Sequence, residues 1–230
     1  MPKIAIMGAM EEEIQPLLEY FNDIKITEFA DNKYYECKYK DLDIVVAYSK
    51  IGKVFSTLTA TTMIEKFSCE KLLFSGVAGG INPKLKIGDL IVANQLCQHD
   101  LDITAFGHPH GFVPGGSVYI DTDISLKNIA IDVAKQNGID IIEGIIATGD
   151  QFVADETRKS FIESTFNADA LEMEGGSVAV VCNATNTPFL ILRAISDTAD
   201  MDAGFNFDEF LESSAKNSAQ FLIKILDQLN

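Results

Sequence analysis

Apolar residues along this chain fall into two alternating patterns: short unbroken runs bounded by Gly, Asp or Lys, and longer stretches with an apolar position every three or four residues. The first reads as buried β-strand and the second as amphipathic α-helix. Lys3–Gly8 is a short apolar strand, and Glu11–Phe21 follows as a helix with Ile14, Leu17, Leu18 and Phe21 on one face. Lys33–Tyr39 and Leu42–Tyr48 read as a hairpin across Lys40-Asp41, and Ile51-Gly52-Lys53 starts a helix that runs to about Phe67. Lys71–Phe74 is a strand ending in Ser75-Gly76-Val77-Ala78-Gly79-Gly80, and Asp89–Ala93 is another after the Lys86-Ile87-Gly88 turn. Thr104–Gly116 is dense in Gly and Pro and is expected to be a loop. Beyond it the pattern predicts helices at Ser125–Asn137, Thr157–Thr165 and Glu174–Ala184, and strands at Gly144–Thr148, Ala168–Glu172 and Phe189–Ile195. Phe207–Leu229 closes the chain as an amphipathic helix, with Phe210, Leu211, Ala215, Ala219, Leu222, Ile223 and Leu226 on one side.

Strands alternating with helices predict an α/β fold, a parallel or mixed sheet covered by helices on both faces. Residues 1–230 show no repeat, linker or low-complexity tract, so one domain is expected. Ligands of such sheets sit beyond the strand ends. That rule directs attention to Gly8–Glu13, Gly76–Gly80, Gly149–Val153, Glu172–Glu174 and Arg193–Asp197.

Composition narrows the functional classes. Asp plus Glu number 34 against 18 Lys plus Arg, a formal net charge of −16. A surface this acidic offers no basic patch for sequence-independent nucleic-acid binding. No apolar run approaches the roughly 18 residues of a membrane span, and Ile4–Met10 leads straight into Glu11-Glu12-Glu13, so a cytoplasmic protein is expected. Cys37, Cys69, Cys97 and Cys182 lie 32, 28 and 85 residues apart, which fits neither a redox pair nor zinc ligands and reads as buried thiols. Only two of the 18 cations are Arg, Arg158 and Arg193.

Several clusters could carry chemistry, each with a plainer alternative. Glu11-Glu12-Glu13 opens a helix, where carboxylates favour the positive end of the macrodipole. One of the three could instead lean over the strand end as a general base, and the triplet does not say which. Glu172-Met173-Glu174 closes a strand, with both carboxylates on one side of an extended backbone, either as a solvated strand end or as acids held near apolar walls for charge stabilisation. Arg193 lies inside the apolar run FLILRAI and needs a partner, either a structural carboxylate or a catalytic one. Asp197 at its end suits a turn, a cap or an acid. His99, His108 and His110 with Asp100 and Asp102 superficially resemble metal ligands, but the breaker-rich loop lacks the support a metal site needs, so no metal is expected. The serine-hydrolase elbow, the phosphate-binding P-loop and the dinucleotide fingerprint are all missing from the sequence.

MGAMEEEI (7–14), SKIGKV (49–54), SGVAGG (75–80), KIGDLIVA (86–93), HDLDITAFG (99–107), GDQF (149–152), LEMEG (171–175), RAISDTAD (193–200) and FNFDEF (205–210) occur in one order over essentially the whole chain. Together they resemble the 5′-methylthioadenosine/S-adenosylhomocysteine nucleosidases. The texture of AYSKIGKVFSTLT and GDQFVADETRK is most similar to the Campylobacter and Helicobacter versions, which also hydrolyse 6-amino-6-deoxyfutalosine in menaquinone synthesis.

The resemblance implies a nucleoside phosphorylase/hydrolase-like three-layer sandwich, with a central mixed sheet and no cofactor. It implies that Glu13 activates the attacking water, that Glu174 binds the ribose hydroxyls, that Asp197 protonates purine N7 and that Arg193 helps hold the water. Phe152 and Val153 match the base-binding segment, Ala78 the strand end beneath the base, and Glu172, Met173 and Ser196 further substrate-binding positions beside the acids. Met10, Ile51 and Phe207 match apolar walls around the sugar and the 5′-substituent. Phe106 and Pro114 match residues that reach the active site of a neighbouring subunit, implying a homodimer. Val77 stands where many members carry Ser or Thr, and Gly175-Gly176 is expected to loosen the helix behind Glu174. The competing readings are a purine nucleoside phosphorylase of the same fold and a non-catalytic nucleoside-binding protein. Three carboxylates and no metal suffice for hydrolysis of an N-ribosidic bond, which needs an anion near the sugar, an acid for the base and a base for water.

Overall fold

A computed structural model describes residues 2–198 and 203–230, so Ala199 and Asp200 at the end of the RAISDTAD motif lie outside the described residues. The elements run β1 (Ile4–Gly8), α1 (Glu11–Leu18), β2 (Asn22–Phe29), β3 (Asn32–Tyr39), β4 (Leu42–Tyr48), α2 (Lys53–Glu65), β5 (Lys71–Gly80), β6 (Leu90–Gln98), β7 (Ile120–Asp121) and α3 (Ile124–Asn137). They continue with β8 (Ile141–Thr148), α4 (Glu156–Phe166), β9 (Ala170–Glu172), α5 (Gly175–Thr185), β10 (Phe189–Thr198) and α6 (Ala203–Leu229). The Thr104–Gly116 segment is irregular apart from one 3₁₀ turn at Thr104–Phe106.

The mixed sheet has an open wing and a closed lobe that share β5. In the wing β5 pairs β1, β1 pairs β4, both in parallel, and β3 and β2 follow antiparallel. In the lobe β5 pairs β10, β10 pairs β6, β6 pairs β8, β8 pairs β9, and β9 returns to β5 at Gly79 and Gly80. The sheet therefore curls shut on one side, which removes the free edges that long strands would otherwise present.

Alternation along the central strands sorts side chains to two cores. Ala5, Met7, Val45, Ala47, Leu72, Phe74 and Ile191 pack against Ala60 and Met63 of α2 and Val178, Ala179 and Cys182 of α5. Their neighbours Ile4, Ile6, Ile44, Val46, Leu73, Leu190 and Leu192 face Ile14 and Leu17 of α1, Leu126, Ala130 and Val133 of α3, and Leu222 and Leu226 of α6. Helices thus cover both faces, the three-layer arrangement that the alternating pattern implied. A third cluster joins Ile162 and Phe166 of α4 to Cys97, Ala147 and Leu171. All four cysteines are buried and free, and burial pushes their thiols up to about 12.

Three differences from the sequence reading have physical causes. The strand β2 was not anticipated, because it is an edge strand exposed along nearly its whole length, with Ile24 and Ile26 in the open among charged residues. The strand Lys71–Phe74 continues through the Gly-rich segment to Gly80, because β10 on one side and β9 at the end hold that segment extended. Strand β6 likewise runs to Gln98 alongside β8 rather than ending at Ala93. Tertiary pairing here overrides the poor strand preference of glycine.

Helix α6 closes the second core through fully buried Leu222. Leu222→Ala is expected to lower stability by about 2–5 kcal/mol in urea unfolding. A loss well under 1 kcal/mol, roughly the cost of an exposed site, would contradict this packing.

Candidate active site

The C-terminal ends of β1, β5, β9 and β10 surround a cavity of about 470 Å³. Its wall includes Met10, Glu13, Ile51, Val77, Ala78, Gly79, Phe152, Leu171, Glu172, Met173, Glu174, Ser196, Asp197 and Phe207. Among the described residues no Lys or Arg lines it.

Helix α1 places its three acids differently. Glu11 and Glu12 are exposed, whereas Glu13 is 3% exposed and turns back beneath β1 and β5. Its carboxylate accepts hydrogen bonds from the backbone N–H groups of Ala9 at 2.5 Å, Met10 at 3.1 Å and Val77 at 2.9 Å. Gly76 is what allows this approach, since a Cβ there would stand 2.5 Å from Glu13 Oε1. Burial raises the Glu13 carboxyl above its usual range and outweighs the pull of Arg193 and the three N–H donors.

Glu172 and Glu174 divide two tasks. Glu172 accepts from Arg193 Nη2 at 2.7 Å, from the Gly175 N–H at 2.6 Å, from the Glu174 N–H at 3.2 Å and from the Thr148 hydroxyl. It thereby caps α5 and neutralises the buried guanidinium. Glu174 does not cap its own helix; its Oε1 accepts the Gly52 N–H at 2.8 Å from the start of α2. Burial, followed by repulsion from Glu172, pushes Glu174 up to about 8. Gly175 and Gly176 are not a loosening of this helix as expected. Their N–H groups donate to Glu172 Oε2 and Thr148 Oγ1 at 2.6 Å each, and a Cβ on either would sit within about 3 Å of its neighbours.

Asp197 owes its orientation to a bulge. Strand β10 runs in register with β5 to Ile195 opposite Ala78, and the pairing resumes at Asp197 opposite Gly79, leaving Ser196 extra. Such an insertion turns two consecutive side chains toward one side. Ser196 and Asp197 both reach the cavity, and Ser196 Oγ donates to Asp197 Oδ1 at 3.1 Å. Gly79 leaves room for the acid, because a Cβ there would lie 2.8 Å from Asp197 Oδ2. Burial raises the Asp197 carboxyl, against smaller lowering by Ser196 and Lys159.

Arg193 lies behind the wall rather than in it. It is buried, pairs with Glu172, stacks over the Phe74 ring at 4.1 Å and donates to the Leu192 carbonyl at 3.2 Å. Val153 lines an adjoining recess of about 40 Å³ with Gln151, Gly80 and the buried Lys159, and that recess shares Phe152 and Asp197 with the main cavity. Neither Phe106 nor Pro114 lines this chain's own cavity: Phe106 is 81% exposed, and Pro114 lines a separate groove. The histidines do not converge. His99 is buried against Arg158, His108 stacks on Phe112, and His110 meets Phe161 edge-on. Among the described residues no three His, Cys, Asp or Glu side chains are grouped to hold a metal ion.

Sequence reasoning did not single out Ala9, Gly52 or Lys159. The N–H of Ala9 and of Gly52 acts through the backbone, which leaves no side-chain signature. Lys159 sits on α4, and nothing local says that α4 flanks the end of β10.

Buried carboxylates that differ in their supply of donors, around an apolar cavity with an aromatic wall, supply groups for acid–base chemistry on a small, partly apolar ligand. The chain belongs to the phosphorylase superfamily, whose family model matches residues 3–227. It is 58% identical over 229 residues to aminodeoxyfutalosine nucleosidase of Campylobacter jejuni, with full coverage of both chains. It is 37% identical to the 5′-methylthioadenosine/S-adenosylhomocysteine nucleosidase of a Geobacillus species, covering 99% of each. The solved structure of futalosine hydrolase of Helicobacter pylori superposes with a TM-score of 0.97 at 51% identity, covering 99% of this chain and 98% of that one. Within the superfamily the chain is thus a hydrolase acting on N-glycosyl compounds.

The raised carboxyls carry a stability consequence. Each binds its proton more tightly folded than unfolded, so stability present at low pH is lost as pH rises from the ordinary carboxylate value of 4.5 toward about 8 for Glu174. Glu174→Gln is expected to raise Tm of the unliganded protein more at pH 8.5 than at pH 5, by thermal unfolding at matched salt. An equal change at both pH values would remove the buried-charge account.

Proposed function

We propose that this enzyme hydrolyses the N-ribosidic bond of 5′-methylthioadenosine, S-adenosylhomocysteine, 5′-deoxyadenosine and 6-amino-6-deoxyfutalosine, releasing adenine and the ribose derivative. The observation that carries this reading is the convergence of Glu13, Glu174 and Asp197 from three separate elements on one cavity beside Phe152. The relatives named for aminodeoxyfutalosine and for methylthioadenosine support the substrate class.

Breaking this bond builds positive charge at the anomeric carbon, so the reaction needs one acid at the base, one anion at the sugar and one base at water. Asp197 donates its proton to purine N7, and its raised proton affinity keeps that proton available. Glu174 takes the ribose hydroxyls and supports the developing cation. Glu13 accepts the proton of the attacking water. Arg193 helps hold that water, a role favoured by its Nε, which is buried with no hydrogen-bond partner among the described residues. Phe152 stacks on the base, Val153 reads its edge through the backbone and Ala78 lies beneath it. Met10, Ile51 and Phe207 enclose the sugar and the 5′-substituent, with Met173 and Ser196 bordering the acids. Glu172, whose Oε2 already accepts from Arg193 and two N–H groups, lines the same cavity and borders the substrate beside Glu174.

The whole chain acts as one domain in a cytoplasmic homodimer. Among the described residues no helix is long and apolar enough to cross a membrane. Ile51, Val54, Phe55 and Leu58 leave an apolar stripe exposed on and just before α2, and Phe106 is likewise exposed on a separate loop. In the proposed homodimer Phe106 and Pro114 reach the 5′ pocket of the neighbouring subunit. Phosphorolysis is disfavoured because phosphate binding calls on cations or a cluster of free N–H groups, and among the described residues no Lys or Arg lines the cavity.

Adenine release from methylthioadenosine in phosphate-free buffer is the direct test, and a reaction that requires phosphate would overturn hydrolysis. Asp197→Asn is expected to lower kcat by roughly 10²–10⁴, and near-wild-type turnover would remove Asp197 from the mechanism. Among the four nucleosides, aminodeoxyfutalosine is expected to rank with the good substrates by kcat/KM. Phe55→Asp is expected to shift the sedimenting species from dimer to monomer; a wild-type monomer at micromolar concentration would refute the assembly.

A further inference from the structure

Helix α2 lacks a cap of its own. Its N-cap position is Gly52, at φ +100° with no side chain, so the first free N–H groups must find acceptors elsewhere. Two carboxylates supply them from distant parts of the chain. Glu174 Oε1 takes the Gly52 N–H at 2.8 Å, and Asp150 Oδ1 takes the next one, the Lys53 N–H, at 2.7 Å. Asp150 is itself held by Asp100, whose Oδ2 accepts the Asp150 N–H at 2.9 Å. The other oxygen of Asp100 accepts Lys53 Nζ at 2.7 Å, and that ammonium also reaches Gln98 Oε1 at 3.2 Å. Burial pushes the Asp100 carboxyl up, but the Lys53 and Asp150 hydrogen bonds together hold it below the ordinary range. Asp100 stays charged at neutral pH as a result.

These bonds form a closed circuit. The segment Gly149–Phe152 carries the aromatic wall, the start of α2 carries the donor for Glu174, and Asp150 joins the two. We propose that Asp150, anchored by Asp100 and Lys53, is a positioning residue that couples the base-stacking loop to the ribose carboxylate Glu174. It contacts no reacting atom. It fixes where the Gly52 N–H points and where Phe152 stands, so a base pressed against Phe152 also tightens the donor that favours the ionised form of Glu174. The substrate side of this inference rests on the nucleosidase reading above, whereas the link from Asp150 to Glu174 does not.

Glu174 is also faced by Glu172 from β9, Arg193 from β10 and Glu13 from α1. Among the described residues none of these hydrogen-bonds to Asp150. The hydrogen-bonded route from Asp150 to Glu174 runs through the adjacent Lys53 and Gly52 N–H groups. The Gly52 bond lowers the proton affinity of Glu174, so loosening it raises that affinity further and moves the acid limb of kcat/KM to higher pH.

Asp150 is exposed, so its replacement removes no core packing. In Asp150→Ala, kcat/KM for methylthioadenosine is expected to fall roughly three- to thirtyfold, the range that loss of one helix cap represents. The acid limb should move to higher pH in the same variant. Asp150→Asn, which keeps an acceptor for the Lys53 N–H, should restore most of both. Carbon-13 NMR titration of Glu174 in the unliganded protein should show its midpoint moving up in Asp150→Ala and returning in Asp150→Asn. Asp100→Asn gives the same direction by a second route, with a smaller shift. An unmoved acid limb and an unmoved Glu174 titration in Asp150→Ala would overturn the coupling. If the wild-type enzyme released no adenine from any of the nucleosides, the functional reading would fail while the titration still decided the link.

Discussion

Four carboxyl groups, those of Glu13, Glu172, Glu174 and Asp197, are buried around one cavity, offset by the buried guanidinium of Arg193 and the buried ammonium of Lys159. Removing a carboxylate from water costs several kcal/mol unless donors replace the lost hydration. The protein distributes donors unequally. Glu172 receives Arg193, two N–H groups and a hydroxyl, and becomes a settled structural anion. Glu13 receives three N–H groups, Glu174 one, and Asp197 a hydroxyl, so these three keep a heightened affinity for protons. Unequal solvation of chemically similar groups is how a single cavity acquires both an acid and a base.

The strand β5 is the element that makes this distribution possible. It joins the open wing of the sheet to the closed lobe, so β1 with α1 lies on one side of it and β10 on the other. Its bare positions at Gly76 and Gly79 let the carboxyls of Glu13 and Asp197 approach the backbone more closely than any side chain would permit. The bulge at Ser196 then turns Asp197 to the cavity, and the short return of β9 against Gly79 and Gly80 delivers Glu172 and Glu174. The same glycines that weakened the strand reading of Gly76–Gly80 are thus the ones that the site requires.

Much of this was legible in the chain. The helix and strand order, the acids at strand ends and the need of Arg193 for a partner followed from periodicity and from the cost of a lone buried charge. The acidic triplet illustrates the limit. Macrodipole preference accounts for Glu11 and Glu12, which stay in solvent; the triplet alone does not choose among the three, the family resemblance points to Glu13, and the packing of α1 over β1 and β5 makes it the buried one. Arg193 is another case. Both a structural and a catalytic partner were open, and the distance to Glu172 supplies the structural one while its unpaired Nε leaves the second role available.

What the sequence determined by itself was local: which segments are strands or helices, which face of each is apolar, and that carboxylates cluster where strands end. Those properties depend on residues within a few positions of one another, so a linear reading captures them. Only the tertiary structure decided which carboxylates lose water, that β10 is bulged at Ser196, that the sheet closes through β9, and that α2 is capped by Asp150 from 97 residues away. Each of those depends on a contact between segments far apart in the chain, where the energy lies in mutual approach and leaves no periodic trace in either partner.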